Sequence, residues 1–311
     1  MTTANVTGYG LQKKDQEVCS WNLTAGLLDH LTFISVLNSF LSVTAILGNA
    51  LILIALHKDS SLHPPSKLLI RCLATTDLGV GLISGPLSVI YWTSEVNEHW
   101  NICRFMLPAS MLTGSILCSV SLLTMTAICV DSLLALLLRL RYRQVVTLKR
   151  TYVMVITVWI VSTVFTATGL QCWNITLWYW MIVIPLCLVT SIFSYTKIFF
   201  TLRHHHNQVH HHVQQPNQTN QLNMTRYRKA VTSAIWLQVT LVACYLPHGV
   251  VTALHARVQL SPSLLNAGIY TATIVFLNSS LNPILYCWKL DEVRQAVKNT
   301  IRQVLCYCFS T

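Results

Sequence analysis

Seven long apolar stretches constrain the fold of this chain more than any other feature. Each is long enough to cross a bilayer as a helix, which takes about 20 apolar residues, and most hold no Lys, Arg, Asp or Glu. They are too long and too continuously apolar for the strands of a lipid-facing barrel. The sequence therefore predicts an all-α membrane protein, a bundle of seven transmembrane helices, with spans near His30–Leu56, Leu68–Trp92, Phe105–Leu138, Tyr152–Leu170, Ile175–Leu202, Ala230–His255 and Pro262–Trp288.

Composition and charge support a membrane protein and orient it. The chain is 53% hydrophobic and only 10% charged, against about a quarter charged residues in soluble domains. Because cytoplasmic loops are enriched in Lys and Arg, we expect an extracellular N-terminus, a cytoplasmic C-terminus and a multi-pass plasma-membrane protein. The outer side then holds few of the 21 bases: Lys13, Lys14, Arg104 and Arg257. The net charge of +11 mostly records this topology, and it gives no reason to expect a nucleic-acid partner.

The chain divides into three regions. Residues 1–29 form a polar extracellular N-terminus without the apolar core of a secretory signal, and residues 30–288 form the bundle. The longest loop, about 203–229, is polar and low in complexity, so we expect it to be disordered; its His clusters suit a transition metal, but a solvated linker is the favoured interpretation. Residues 289–311 place apolar side chains at helical spacing, which predicts an amphipathic surface helix on the inner leaflet.

Three cysteines fall on the oxidising outer side: Cys19, Cys103 and Cys172. They allow one disulfide and leave one thiol. Asn5 and Asn22 head extracellular glycosylation sequons. On the inner side, Cys306 and Cys308 are lipidation candidates.

Ionisable side chains inside a membrane bundle usually face its interior. Asp77 lies about ten residues, or ~15 Å, from the inner end of the second span. Asn49, Ser121, Asn278, Ser279 and Asn282 fall at a similar depth. Oxygen and amide groups around a carboxylate suit a small hard cation such as Na⁺, or a proton; the alternative is a polar network that only holds helices together.

Short motifs occur in a fixed order along the spans. Gly48-Asn49 lies in the first, "LATTD" ends at Asp77 in the second, and Trp159 and Pro185 follow in the fourth and fifth. "CYLP" occupies 244–247 and "NPILY" occupies 282–286, before the surface helix. In this order and topology the chain resembles the rhodopsin-like (class A) G-protein-coupled receptors, from the first span to the tail.

The resemblance implies a ligand-operated switch without enzymatic activity. An extracellular ligand binds among the outer halves of the helices, and the inner ends then separate to admit a heterotrimeric G protein, with arrestin as a further partner. It implies no cofactor beyond an allosteric Na⁺ held by the polar residues around Asp77. It also implies activation switches at Asp131, Ser132, Tyr245, Pro247, Pro283 and Tyr286.

Some positions depart from the family pattern. Tyr245 stands where the family usually has Trp, and Phe193 stands where a fifth-helix tyrosine is expected, with Tyr195 two residues later. The resemblance implies a Cys103–Cys172 disulfide, although the loop holding Cys172 is very short and Cys19 competes for the same bridge.

Near its cytoplasmic end the third span carries Asp-Ser-Leu at 131–133, where the family has Asp-Arg-Tyr. Asp131 therefore lacks the neighbouring arginine that engages the G protein, and Ser132 carries no cation. Asp131 is then hydrated, neutral, or bonded to Tyr142 in the following loop. We hypothesise weakened or altered coupling to G proteins.

The sequence excludes some classes of ligand more clearly than it indicates one. Gly114 stands where amine receptors carry an aspartate, and Phe276 stands where opsins carry the retinal lysine. Glu95 and Glu98 are interpreted as solvated loop charges. The ligand is then a small molecule, such as a nucleoside or lipid-like signal, or a short peptide. Its candidate contacts are Met111, Thr113, Gly114, His248, Thr252, His255, Ile269 and Tyr270.

Two other classes compete with a receptor. A multi-span transporter or channel would explain Asp77 and the polar layer, but the odd number of spans without an internal repeat argues against it. A membrane enzyme would need a metal-ligand cluster or a nucleophile–base pair at membrane depth, and the nearest pair, His248 and Cys244, lacks an orienting acid.

Overall fold

The computed structural model describes residues 19, 26–58, 63–138, 141–212, 218–258, 261–289 and 291–309. In this part of the chain every element is helical. The helices are α1 (Leu28–Lys58), α2 (Pro64–Gly79), α3 (Gly85–Val96), α4 (Trp100–Leu138), α5 (Tyr142–Val145), α6 (Leu148–Gln171), α7 (Trp173–His212), α8 (Gln218–His255), α9 (Pro262–Lys289) and α10 (Asp291–Phe309).

Seven helical segments of the described chain are long and apolar enough to cross a membrane, which confirms the predicted bundle. α2 and α3 form one of them, Pro64–Val96, joined by a π-helical turn at Val80–Ser84. Pro86, in the first turn of α3, has no N–H to donate, so regular bonding breaks just before it.

α4 lies at the centre of the bundle and packs against α2, α3, α6 and α7. α1 packs against α3 and α9, and α8 packs between α7 and α9. The outward faces carry exposed large apolar side chains, such as Phe33 and Phe40 on α1 and Ile182 and Val189 on α7. Apolar surface of this kind belongs in contact with lipid.

Two glycines let helices approach closely. A Cβ on Gly48 would lie 2.8 Å from Cγ of Pro283, and one on Gly81 would lie 2.8 Å from the carbonyl oxygen of Ser42. Because neither glycine carries a side chain, α1 can contact α9 at Pro283 and can also contact the π-helical turn.

α10 is amphipathic, as predicted. Val293, Ala296 and Val297 are buried while Arg294 and Lys298 are exposed, and the helix packs against α1 and α9. Cys306 and Cys308 lie near its end, and their side chains fall outside the described part of the structure. Asn5 and Asn22 also lie outside the described residues.

The prediction of a disordered loop at 203–229 is wrong over most of its length. α7 continues to His212 and α8 already begins at Gln218. Helix propagation from an existing long helix adds one hydrogen bond per residue without a new nucleation cost, so polar residues there continue the membrane helices.

Candidate functional site

A buried carboxylate lies at the centre of the bundle. Asp77 on α2 is completely buried. Its Oδ1 accepts hydrogen bonds from Ser121 of α4 and Ser279 of α9, both at 2.9 Å, and its Oδ2 accepts one from Asn282 at 2.7 Å. Three helices therefore meet at one carboxylate, as the depth of these residues along their spans predicted.

Asn49 and Asn278 extend this polar layer without donating to Asp77. The amide of Asn49 donates to the carbonyls of Ala45 and Ser279, and that of Asn278 points to the sulfur of Met125. The side-chain oxygens of Asn278 and Asn282 are buried and have no hydrogen-bond partner among the described residues. Unpartnered amide oxygens beside a carboxylate and two hydroxyls are the donor set that a small hard cation prefers.

Tyr245 lies between this layer and the outer half of the bundle. It is 1% exposed, and its hydroxyl donates to the backbone carbonyl of Cys118 at 3.3 Å. Cys118 is one turn before Ser121 on α4, so Tyr245 contacts the helix just outside the Asp77 cluster. Tyr286 is also buried, and its hydroxyl has no hydrogen-bond partner in the described part of the chain.

At the predicted cytoplasmic end of α4, Asp131 is held by two hydroxyls. Ser66 of α2 donates to its Oδ2 and Tyr142 of α5 donates to its Oδ1, both at 2.7 Å. The Tyr142 ring also packs on His63, with centroids 5.1 Å apart. Of the alternatives open for Asp131, the bond to Tyr142 is confirmed. Burial raises the pKa of Tyr142 to about 12, so the phenol keeps its proton at physiological pH.

The neighbouring positions show how this end differs from the family motif. The Ser132 hydroxyl donates to the carbonyl of Ile128, one turn back on its own helix, at 2.8 Å. On α7, Phe193 is exposed toward lipid while Tyr195 is buried and accepts a hydrogen bond from the Cys129 thiol at 3.3 Å. Tyr195 is thus turned into the bundle, whereas Phe193, at the position where the family has tyrosine, is not.

A cavity of about 290 Å³ lies among the predicted outer halves of six spans. Six candidate residues line it: Met111, Gly114, His248, Thr252, His255 and Ile269. Sequence reasoning missed other lining residues, because they lie on helices without any motif that indicates a pocket: Tyr91, Trp92, Thr166, Thr176 and Trp180. In the part of the chain that the structure describes, no lining residue is Asp, Glu, Lys or Arg.

Two ligand-pocket candidates are wrong for this cavity. Thr113 donates its hydroxyl to the carbonyl of Ala109 on its own helix and does not line the cavity. Tyr270 turns toward α1, where its hydroxyl lies 2.8 Å from Nδ1 of His30. Sequence spacing placed both on spans that do line the cavity, but the rotation of each helix turns these side chains elsewhere.

The predicted Cys103–Cys172 disulfide is also wrong. Cys103 is bonded to Cys19, which ties the N-terminal segment to the start of α4. Cys172 is the single residue between α6 and α7, where it is exposed and has no disulfide partner among the described cysteines. A connection this short fixes Cys172 at the helix ends, whereas Cys19 lies on a segment long enough to reach α4.

The interpretation of Glu95 as a solvated charge is wrong, while Glu98 is exposed as expected. Glu95 is 1% exposed beneath the disulfide, with one oxygen 3.7 Å from Sγ of Cys103 and a hydrogen bond to Tyr91. Cys103 and Tyr91 belong to a small apolar core that also holds Leu31 and Trp92, so Glu95 lies against that core and its charge is not exposed.

Comparison with known proteins identifies the architecture. The family described as 7 transmembrane receptor (rhodopsin family) matches residues 48–176 and 167–286. The chain belongs to the rhodopsin family of seven-transmembrane receptors. Adenosine receptor A3 of Canis lupus familiaris is 25% identical over 310 residues, covering 88% of this chain and 92% of that receptor. Adenosine receptor A2b of Gallus gallus is 25% identical over 87% of this chain and 88% of its own length.

A shorter similarity links the chain to another receptor group. The 5-hydroxytryptamine receptor 1E of Homo sapiens is 32% identical over 114 residues, which cover 37% of this chain and 30% of that receptor. As a family member, this rhodopsin-family chain is a multi-pass plasma-membrane receptor that couples small-molecule ligands to G proteins. The family is not enzymatic and generally needs no cofactor, and the transporter alternative is not favoured.

Proposed function

We propose that the chain senses a small extracellular molecule in the outer cavity, with its N-terminus outside and its C-terminus in the cytoplasm, and that it couples only weakly to G proteins. The observation that supports weakened coupling is that Asp131 is hydrogen-bonded by Ser66 and Tyr142 rather than by an arginine. Both of its oxygens are occupied by hydroxyls, and Ser132 supplies no cation beside it.

A route for the signal runs from the cavity inward. Cys118 lines the cavity, and its carbonyl accepts the hydrogen bond from Tyr245. One turn further in, Ser121 donates to Asp77, which also binds α9. A ligand that moves α4 near Cys118, or moves α8 near Tyr245, therefore disturbs the hydrogen bonds that join α2, α4 and α9 at Asp77. Pro247 and Pro283 lie inside α8 and α9, where a missing backbone bond eases bending.

The polar layer also fits an allosteric Na⁺. Asp77, Ser121, Ser279 and the unpartnered oxygens of Asn278 and Asn282 would hold the ion. A bound Na⁺ would supply the positive charge that a buried carboxylate otherwise lacks. Because these groups come from three helices, such binding stabilises the packed, resting arrangement.

A small molecule suits the cavity better than a peptide. The volume of about 290 Å³ lies just below the range of pockets that hold drug-sized ligands, roughly 300–1,000 Å³. The names of the relatives add adenosine and 5-hydroxytryptamine to the compounds to test. Glycans on Asn5 and Asn22, lipids on Cys306 and Cys308, and recruitment of arrestin complete the proposal.

The test of coupling compares G-protein nucleotide exchange in the native chain, Ser132→Arg and Ser132→Gln, each in lipid nanodiscs with and without a panel of small molecules. Arginine restores the missing cation, and glutamine is a long neutral control. We expect higher basal or ligand-driven exchange in the arginine variant alone. If the native chain already exchanges nucleotide as fast as Ser132→Arg, the proposed weak coupling is wrong.

A further inference from the structure

The cavity walls define the charge of the ligand they accept. Among the described residues, those that line the cavity include no carboxylate, ammonium or guanidinium group. Gly114 contributes no side chain at all, and a Cβ there would meet the Ser84 hydroxyl at 3.2 Å. A cationic ligand would lose its hydration without gaining a counter-ion, and such burial of an unpaired charge is strongly unfavourable. The walls therefore favour a neutral ligand.

The hydrogen bonds of Thr271 indicate which nitrogen of His248 carries the imidazole proton. Thr271 has one hydroxyl proton, which it donates to the carbonyl of Ala267 at 2.8 Å. Nδ1 of His248 lies 3.3 Å from the same hydroxyl oxygen. Since that oxygen has only one proton, both contacts are satisfied together when Thr271 donates to the carbonyl and His248 donates from Nδ1. This assignment comes from the hydrogen-bond network, as it must where hydrogens are inferred.

A neutral imidazole protonated on Nδ1 carries its lone pair on Nε2. His248 lines the cavity, and its ring lies nearly perpendicular to that of Trp180, with centroids 6.0 Å apart. A charged imidazolium among these uncharged walls would be costly for the reason given above. Nε2 of His248 is therefore a hydrogen-bond acceptor within an otherwise largely apolar wall.

Thr252, one helical turn further along α8, is also a hydrogen-bond acceptor. Its hydroxyl donates to the carbonyl of His248 at 2.8 Å, so its oxygen is left with lone pairs only. Residues four apart lie on one face of a helix, and both line the cavity. α8 thus offers two acceptors and needs donors from the ligand.

We propose that the cavity takes a neutral, mainly apolar small molecule that carries a hydroxyl or amide N–H, and that this group donates to Nε2 of His248. The inference rests on the proposed function for the role of the cavity, and it adds the chemical class of the ligand. Thr271 acts as a positioning residue, because its bond fixes the imidazole proton on Nδ1.

Three probes of matched shape test the proposal: naphthylethanol, its methyl ether and naphthylethylamine. They are neutral with a donor, neutral without one, and cationic. Binding to the full chain in lipid nanodiscs is measured by saturation-transfer NMR, with empty nanodiscs as the control for partitioning into lipid. We expect the alcohol to bind roughly three- to tenfold more tightly than the ether, as one neutral hydrogen bond allows, and at least about tenfold more tightly than the amine.

Two variants assign the difference to the named atoms. His248→Phe keeps an aromatic ring and should give the alcohol and the ether equal affinities. Thr271→Val removes the oxygen that fixes the proton and should reduce the alcohol's advantage while leaving the ether unchanged. Thr168→Val is the matched control, since Thr168 is exposed on α6 and bonds only to its own helix; it should behave as the native chain.

The proposal is overturned if the amine binds as tightly as the alcohol, if the alcohol's advantage survives His248→Phe, or if the alcohol shows no saturable binding. Alcohol binding that depends on His248 but produces no nucleotide exchange even in Ser132→Arg supports the ligand class and refutes the proposed signalling function. Exchange driven by a cationic compound through this cavity supports signalling and refutes the ligand class.

Discussion

Replacing Tyr142 with Phe would remove one hydroxyl from the predicted cytoplasmic end of the bundle and leave the aromatic ring in place. The hydroxyl donates to Asp131 at 2.7 Å, while the ring packs on His63. A hydrogen bond to a charged group contributes about 1.5–3 kcal/mol. We take the lower end, about 1.5 kcal/mol, because Ser66 still satisfies the carboxylate after the change.

This loss should appear as a lower unfolding temperature. A destabilisation of 1 kcal/mol lowers Tm by roughly 2–4 °C in domains of 150–250 residues, so we expect a decrease of about 3–6 °C for Tyr142→Phe in nanodiscs. Tyr152→Phe is the control, because Tyr152 is 51% exposed on α6. Equal stability of the native chain and Tyr142→Phe, or an equal loss in Tyr152→Phe, would refute the assigned bond.

The same variant has a pH signature. Burial raises the pKa of Tyr142 to about 12, against about 10 in an unfolded chain. The folded state therefore holds this proton more tightly, so its stabilising contribution is complete below about pH 10 and is lost as the pH rises through about 12. Above about pH 10, the native chain should lose stability faster than Tyr142→Phe.

Three further predictions concern the disulfide, the polar layer and helix packing. Cys19→Ser should destabilise the folded chain by roughly 2–4 kcal/mol, while Cys172→Ser leaves Tm unchanged; non-reducing peptide mapping checks the pairing. Na⁺ should raise Tm relative to K⁺ in the native chain but not in Asp77→Asn, and an equal rise in both would exclude this site. Gly48→Ala should cost roughly 1–3 kcal/mol by overpacking against Pro283, measured by thermal unfolding; native-like stability would show that the contact adjusts.

The site could be anticipated only in part. Motif order along the spans found the residues that meet at Asp77, because the depth of a residue in a membrane helix follows from its distance to the helix end. The same reasoning found most of the cavity residues on α8. It failed for Thr113 and Tyr270, because depth does not specify which neighbour a side chain faces once helices rotate and pack.

The sequence by itself determined the number of spans, the level of the polar layer and the missing base at Ser132. It did so because a bilayer requires long apolar helices whose backbone hydrogen bonds are internal. Such helices are visible in the sequence as continuous apolar segments. Only the tertiary structure decided that Cys19 pairs with Cys103, that Glu95 is buried, and that Asp131 is held by Ser66, 65 residues away in sequence. Contacts of this kind depend on how separate helices lie against one another, and local sequence pattern carries no record of that arrangement.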